Sequence, residues 1–236
     1  MESLPQPLEG PSHVVLGVVF QVRQGSLCVL LWERARAPFE GAWSLPGGRI
    51  LRGETLEDSI LRHLETKVDV REVSHLEQLA TYSDPDRAAG AWELATVYLG
   101  LVPLGVEAAV PADTTWHPVD ALPGTAFDHG AIVLAGRERL RGKLSYTNAG
   151  FALAPPTFTL GELRDVYVAA LGHDVSPTNL RRVLERRGAI VATGERRSSG
   201  RAGGRPAEVF RFSSDRLEVT HQFAALRPPE REPAGI

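Results

Sequence analysis

The sequence predicts an α+β protein of two domains, and three observations carry that prediction. Two β-branched runs, His13–Val22 and Leu27–Trp32, flank Arg23-Gln24-Gly25-Ser26, which is the pattern of a strand hairpin. A capped amphipathic helix follows, set between further strand-like runs. Towards the C-terminus, two well-punctuated helices joined by a short turn precede two short strands, the order of a winged helix-turn-helix.

The elements follow in chain order. Residues 1–12, which include three prolines, read as a disordered start. After the hairpin, Glu33–Gly41 reads as a loop carrying Arg34, Arg36 and Phe39. Gly47-Gly48 lets backbone approach whatever occupies that loop. Thr55 is placed to cap a helix whose packed face is Leu56, Ile60, Leu61 and Leu64. Val73–Thr81 and Leu94–Leu101 read as strands, with an exposed turn at Tyr82-Ser83-Asp84-Pro85-Asp86-Arg87 between them. A helix over Asp128–Leu144, with Ile132, Val133, Leu140 and Leu144 as its apolar content, leads away from the first domain. The connection ends at Pro155-Pro156, which cannot continue a helix.

Phe158–Gly172 carries a capping box, Thr159 with Glu162, and a hydrophobic staple, Phe158 with Leu163. Gly172 can end that helix. Ser176 caps the next one, Pro177–Arg187, with proline at its first position. Leu180, Val183 and Leu184 form its buried side. Thr178, Arg182 and Glu185 project opposite, flanked by Asn179, Arg181 and Arg186. Asn and Arg are side chains that read adenine and guanine edges in a major groove. Ala189–Thr193 and Ala207–Phe212 bracket a loop holding Arg196, Arg197, Arg201 and Arg205, a wing suited to phosphates or a minor groove. Residues after Leu217 read as a fraying tail. The domains so delimited are 13–127, a linker helix and connection at 128–156, a DNA-binding domain at 157–217, and a tail at 218–236.

Composition restricts the function classes. Val175–Phe212 holds nine Arg and three Glu, a balance of +6 in a chain whose net charge is −3. The remainder therefore stands at −9, and an acidic body with one basic segment suits a polyanionic partner. Cys28 is the single cysteine and lies in an apolar run. It excludes an internal disulfide and suits a cytoplasmic protein. The opening MESLPQPLEGPS lacks the pattern of a signal peptide, and no apolar stretch reaches membrane-span length, so no membrane partner is expected.

Gly47–Val70, GGRILRGETLEDSILRHLETKVDV, resembles the Nudix signature: Gly48, Glu54, Arg62, Leu64 and Val70 fall on its pattern. The resemblance implies an N-terminal Nudix-like α/β/α sandwich with a mixed sheet. The family's helix glutamates hold divalent metal, but here those positions are His63, Thr66 and Lys67, with Asp69 in place of the late glycine. Spaced i, i+3, i+4, they share one helix face, and an ammonium there repels the metal that the family's enzymes bind. Glu54 remains, with Arg62 as its partner and Glu93 as a distant second carboxylate. The expectation is that there is no catalytic residue, no metal ligand and no required cofactor.

Four further segments, Pro38–Gly48, Ala126–His129, Phe158–Leu163 and Gly204–Ala207, resemble in order the Nudix-related transcriptional regulators of NAD metabolism (NrtR). That resemblance implies a homodimeric repressor of NAD biosynthesis or salvage genes, with double-stranded operator DNA as partner. It further implies ADP-ribose or a related nucleotide as effector in the old catalytic cleft. A diphosphate needs cations and an adenine needs an aromatic face. The candidate effector residues are therefore Arg34, Arg36, Phe39, Trp43, Gly47, Gly48, Arg49 and Tyr82, with Phe127 and His129 at the junction to the linker helix. Two alternatives stay open at this point: a Nudix hydrolase acting on ADP-ribose or a similar nucleoside diphosphate derivative, and an RNA-associated protein.

Overall fold

The computed structural model describes residues 11–88, 92–198 and 206–221. The hairpin forms where the β-branched runs place it: β1 (Ser12–Arg23) pairs antiparallel with β2 (Ser26–Glu33). Gln24 and Gly25 turn it with φ of 50° and 77°, the pair of left-handed residues that a two-residue hairpin needs. Ser12, read as part of the loose start, already belongs to the strand.

β1 is the centre of a seven-stranded mixed sheet. It runs parallel to β6 (Glu93–Leu101), which pairs antiparallel with β5 (His75–Tyr82). β3 (Trp43–Ser44) and β7 (Thr114–Pro118) join β2, while β4 (Gly47–Arg49) joins β1. Nearly all of β1 is buried because both of its faces are covered. Val15 and Val19, alternating with their neighbours as a strand requires, meet Ile60, Leu64 and Val68 of α1 (Leu56–Val68). A side chain at Gly17 would put its Cβ 3.2 Å from both Ile60 and Leu64, so the glycine sets how closely α1 can lie. The even-numbered residues Val14, Leu16, Val18 and Phe20 face the other way, towards Ile132, Val133 and Leu140 of α2 (His129–Tyr146). The result is an α/β/α sandwich.

Four local expectations change. Leu61 is 41% exposed rather than packed, because it lies at the margin of the α1 face that Ile60 and Leu64 bury. α2 does not lead away from the first domain. It crosses the sheet, and a Cβ at Gly136 would sit 2.9 Å from Val18 Cγ1. Arg87, read in an exposed turn, has a side chain only 3% exposed, because Asp128 and Glu93 clasp it at 2.9 and 3.4 Å. Finally, 218–221 are docked rather than frayed: Glu218 N donates to Asn148 Oδ1 and Thr220 N to Tyr146 O.

The C-terminal module follows its capping signals. After β8 (Phe158–Thr159), α3 (Leu160–Leu171) begins at Thr159 with the reciprocal Thr159–Glu162 box and ends on Gly172 at φ 75°. Ser176 caps α4 (Pro177–Arg186), with Pro177 in its first turn. β9 (Ile190–Arg197) and β10 (Ala207–Phe212) complete a small sheet ordered β8-β10-β9. β9 runs on to Arg197, four residues beyond the expected end of the strand, so the wing is partly ladder rather than loop. Phe158, Leu163, Val166, Tyr167, Leu180, Leu184 and Phe210 form a core continuous with the α2 side of the large sheet. No helix among the described residues is long and apolar enough to cross a membrane.

Candidate functional site

Beside the N-terminus of α2 lies a cleft of about 530 Å³. Its lining comes from β1, β2, the loop after β2, β4, the last turn of α1, the Arg87 loop, the start of β6 and the start of α2. Its charged lining is Arg34, Arg36, Arg49, Lys67 and Arg87 against one carboxylate, Glu93. Arg87 is committed to Asp128 and Glu93. The guanidinium groups of Arg36 and Arg49 have no ion-pair or hydrogen-bond partner among the described residues, which leaves them available to an anion.

The glycine pair shapes the floor. A Cβ on Gly47 would collide with Val15 O, and one on Gly48 would stand 2.7 Å from the His63 ring. No larger residue fits, because β4 is squeezed between β1 and α1.

Of the expected effector residues, Arg34, Arg36, Gly47, Gly48 and Arg49 line this cleft, whereas Phe39, Trp43 and Tyr82 do not. Trp43 turns instead to His117, with ring centroids 4.3 Å apart, and Tyr82 packs on the core from the end of β5. Phe39 is 47% exposed and meets Phe127 edge-on at 4.8 Å. The aromatic groups on the cleft are Trp32 and Phe127. Arg34 Cζ lies 4.8 Å from the Phe127 ring centroid, a cation–π pair. Trp32 lies in the β2 apolar run, where a strand aromatic reads as core. Nothing local marks it as a wall of the cleft.

His129 closes the inner end. Leu45 N donates to its Nδ1 at 3.0 Å, which leaves the second ring nitrogen as the N–H. Burial pushes its pKa down to about 4 against a smaller opposing pull from Asp128, so the ring is neutral near pH 7.

The face that carries metal in Nudix hydrolases holds different chemistry. Glu54 receives Arg62 Nε at 2.5 Å and Nη2 at 2.8 Å, and the Leu51 N–H at 2.9 Å. The Arg62 hydrogen bond, with that N–H, holds its carboxyl down to about 2. His63 is buried against Arg49 O, 3.1 Å away, and burial lowers its pKa. Thr66 donates to Arg62 O, and Lys67 Nζ donates to Gly47 O at 2.6 Å. Asp69 takes the glycine's left-handed corner at φ 51°. Among the described residues no three His, Cys, Asp or Glu side chains converge on one point. A hard divalent ion needs a set of oxygens with net negative charge. A single carboxylate neutralised by arginine, beside an ammonium, does not provide it.

The second site is the outer face of α4. Thr178, Asn179, Arg182 and Arg186 are exposed there, and Arg182 donates to Asn179 Oδ1 at 2.7 Å. Arg181 is drawn back onto the protein, bonding Glu185 and Glu208 at 2.9 and 3.1 Å over the Phe210 ring. Arg197 is likewise held, donating to both Glu162 oxygens at 2.8 and 2.7 Å and so tying the wing to the α3 cap. The Arg196 side chain is exposed, with no hydrogen-bond or ion-pair partner among the described residues, and Arg201 and Arg205 lie outside them.

Comparison with known proteins places both halves. A NUDIX domain model matches residues 11–135 and an NrtR DNA-binding winged helix domain model matches residues 150–212. The chain is 30% identical over 210 residues to the ADPR responsive transcriptional repressor NtrR of Acinetobacter baylyi, covering 86% of this chain and 82% of that one. Shewanella oneidensis NrtR complexed with a 27mer DNA superimposes with a TM-score of 0.71 at 33% identity, covering 84% of this chain and 92% of that one. The NUDIX domain of the same Shewanella protein, complexed with ADP ribose, gives a TM-score of 0.51 at 34% identity over 58% of this chain and 94% of that one.

Proposed function

From the premise that this chain belongs to the NrtR family of NUDIX-domain regulators, we propose that it is a transcriptional repressor of NAD biosynthesis or salvage genes, and that it senses ADP-ribose or a related nucleotide in the cleft. The observation that carries this reading is the run of α2. Its first residue, His129, lines the cationic cleft. Its last turn is bonded to the winged helix, Arg187 Nη2 donating to Ser145 O at 2.8 Å, and to the segment that follows it, Thr220 N donating to Tyr146 O at 3.0 Å. One rigid element thus touches both the pocket for a nucleotide and the module for DNA.

The cleft binds rather than hydrolyses. Arg34, Arg36 and Arg49 suit a diphosphate, while Glu54 is engaged by Arg62 and no acidic set that could hold a catalytic metal is found among the described residues. On the DNA side, Arg182 and Asn179 enter the major groove, and Arg196 meets phosphate. A homodimer places two such helices on the half-sites of a palindromic operator, in the cytoplasm with the DNA. ADP-ribose shifts the dimer towards a geometry that misses that spacing, by as much as its affinities for the two geometries differ. A mobility-shift assay with promoter fragments of NAD-biosynthetic genes tests this. Sequence-selective, salt-sensitive retardation relieved by ADP-ribose is expected. Indifference to sequence, or steady hydrolysis of ADP-ribose with magnesium, overturns it.

A further inference from the structure

We propose that Lys67 is a built-in cation for the effector's diphosphate, standing in the helix-face position where a Nudix hydrolase puts its metal ligands, so that this cleft takes a nucleoside diphosphate without any divalent ion. The inference rests on the nucleotide reading above and adds the group that grips and the independence from metal.

Three features of the structure carry it. The ammonium reaches the cleft from the last turn of α1 and is fixed there, Nζ donating to Gly47 O at 2.6 Å and lying 5.1 Å from the Trp32 ring centroid. Two of its three N–H groups remain for a ligand. The second feature is the space made for it: a Cβ at Gly48 would come 3.1 Å from Nζ, so the glycine keeps the ammonium at the surface of the cleft. The third is the company it keeps. Glu54 faces Arg62 and Glu93 faces Arg87, so neither is paired to Lys67. Lys67 has no ion-pair partner among the described residues, although its side chain is half-buried. Burial, and then Arg62 and Arg34, weigh against its charge and lower its pKa. An arriving diphosphate relieves that opposition, and the charge-assisted bonds it makes are strong ones.

His63 and Thr66 do not share the role. The ring of one is held at Arg49 O and the hydroxyl of the other at Arg62 O. Lys67 is therefore the member of the substituted triad that faces ligand.

The test is calorimetric titration of the full-length protein with ADP-ribose and, separately, with inorganic pyrophosphate, each in EDTA and in magnesium, for the native chain, Lys67→Met and Lys67→Glu. The native chain should bind both ligands equally well with and without magnesium. Lys67→Met, which keeps the aliphatic stem over Trp32, should lose about ten- to a hundredfold in affinity in either buffer, as expected when one charge-assisted bond is removed. Lys67→Glu should bind poorly in EDTA and recover part of the loss with magnesium, an outcome that a merely unfolded variant cannot give. Unchanged thermal melting of Lys67→Met separates lost grip from lost fold. Native-strength binding of ADP-ribose by Lys67→Met overturns the proposal while leaving the nucleotide reading intact. Pyrophosphate binding that depends on Lys67, with no binding of ADP-ribose, overturns the reading and keeps the cation site. Binding that requires magnesium in the native chain, or binding of neither ligand, overturns the proposal.

Discussion

Protonating His129 should loosen the cleft, and the size of the effect follows from its surroundings. In the folded chain Nδ1 accepts from Leu45 N at 3.0 Å, so an imidazolium would set one N–H against another inside the core. Burial holds the folded pKa at about 4 against an ordinary 6.5. A depressed pKa means that stability is fully present above the unfolded value and is lost as pH falls towards the folded one. Between pH 7 and pH 5 this group alone should remove about 2 kcal/mol, rising to about 3 kcal/mol below pH 4. The perturbation is His129→Asn, whose amide oxygen can accept from Leu45 N but does not titrate. The assay is urea unfolding of both proteins at pH 7 and pH 5. The native chain should lose roughly 1 M more in midpoint than the variant. Identical pH dependence in the two proteins would show that the ring is solvated and that the inner wall of the cleft is wrongly assigned.

Four further outcomes are expected. Arg182→Ala should weaken operator binding and relax preference at one base position by about 1–3 kcal/mol. Arg196→Ala should weaken all duplexes alike and flatten the salt dependence; anisotropy across operator variants and salt concentrations separates the two. Glu77, whose side chain is 16% exposed, is clamped by Lys143 at 2.7 Å and His75 at 3.3 Å, and its loss removes an ionic tie between β5 and α2. Burial opposes its charge, but hydrogen bonds from His75 and Lys143 hold the carboxyl down to about 2, so its contribution is present above the ordinary carboxylate pKa and fades as pH falls from there. Glu77→Gln should therefore lower stability at pH 7 by about 3 kcal/mol, read by chemical denaturation. Gly136→Ala forces a methyl against Val18 and should cost about 1–3 kcal/mol in the same assay through overpacking.

What was legible in the sequence was local. The β1–β2 turn, the Thr159–Glu162 box and the Ser176-Pro177 start each depend on neighbours in the chain, and each forms as read. Contacts made across the fold were not legible. Nothing beside Arg87 announces Asp128, 41 residues on, and nothing beside Arg181 or Arg197 announces Glu208 or Glu162. Those partners draw two of the expected DNA-facing arginines back onto the protein. The cleft divides the same way. Gly47, Gly48 and Arg49 lie within the signature and Arg34 and Arg36 in the loop before it, and all five line the cleft. Trp32 and Phe127 were missed as its aromatic walls because each borders it only once β2 and the start of α2 have been brought together.

In the proposed function, one nucleotide cleft governs one DNA-reading face without chemistry in between. It is tested most directly by titrating ADP-ribose, in EDTA, into a complex of the full-length protein with fluorescent operator duplex, and assaying the nucleotide afterwards. The expected result is a saturable fall in anisotropy with all of the ADP-ribose recovered intact. Anisotropy that stays flat while calorimetry shows the nucleotide bound, or a fall that tracks consumption of the ADP-ribose, would contradict it.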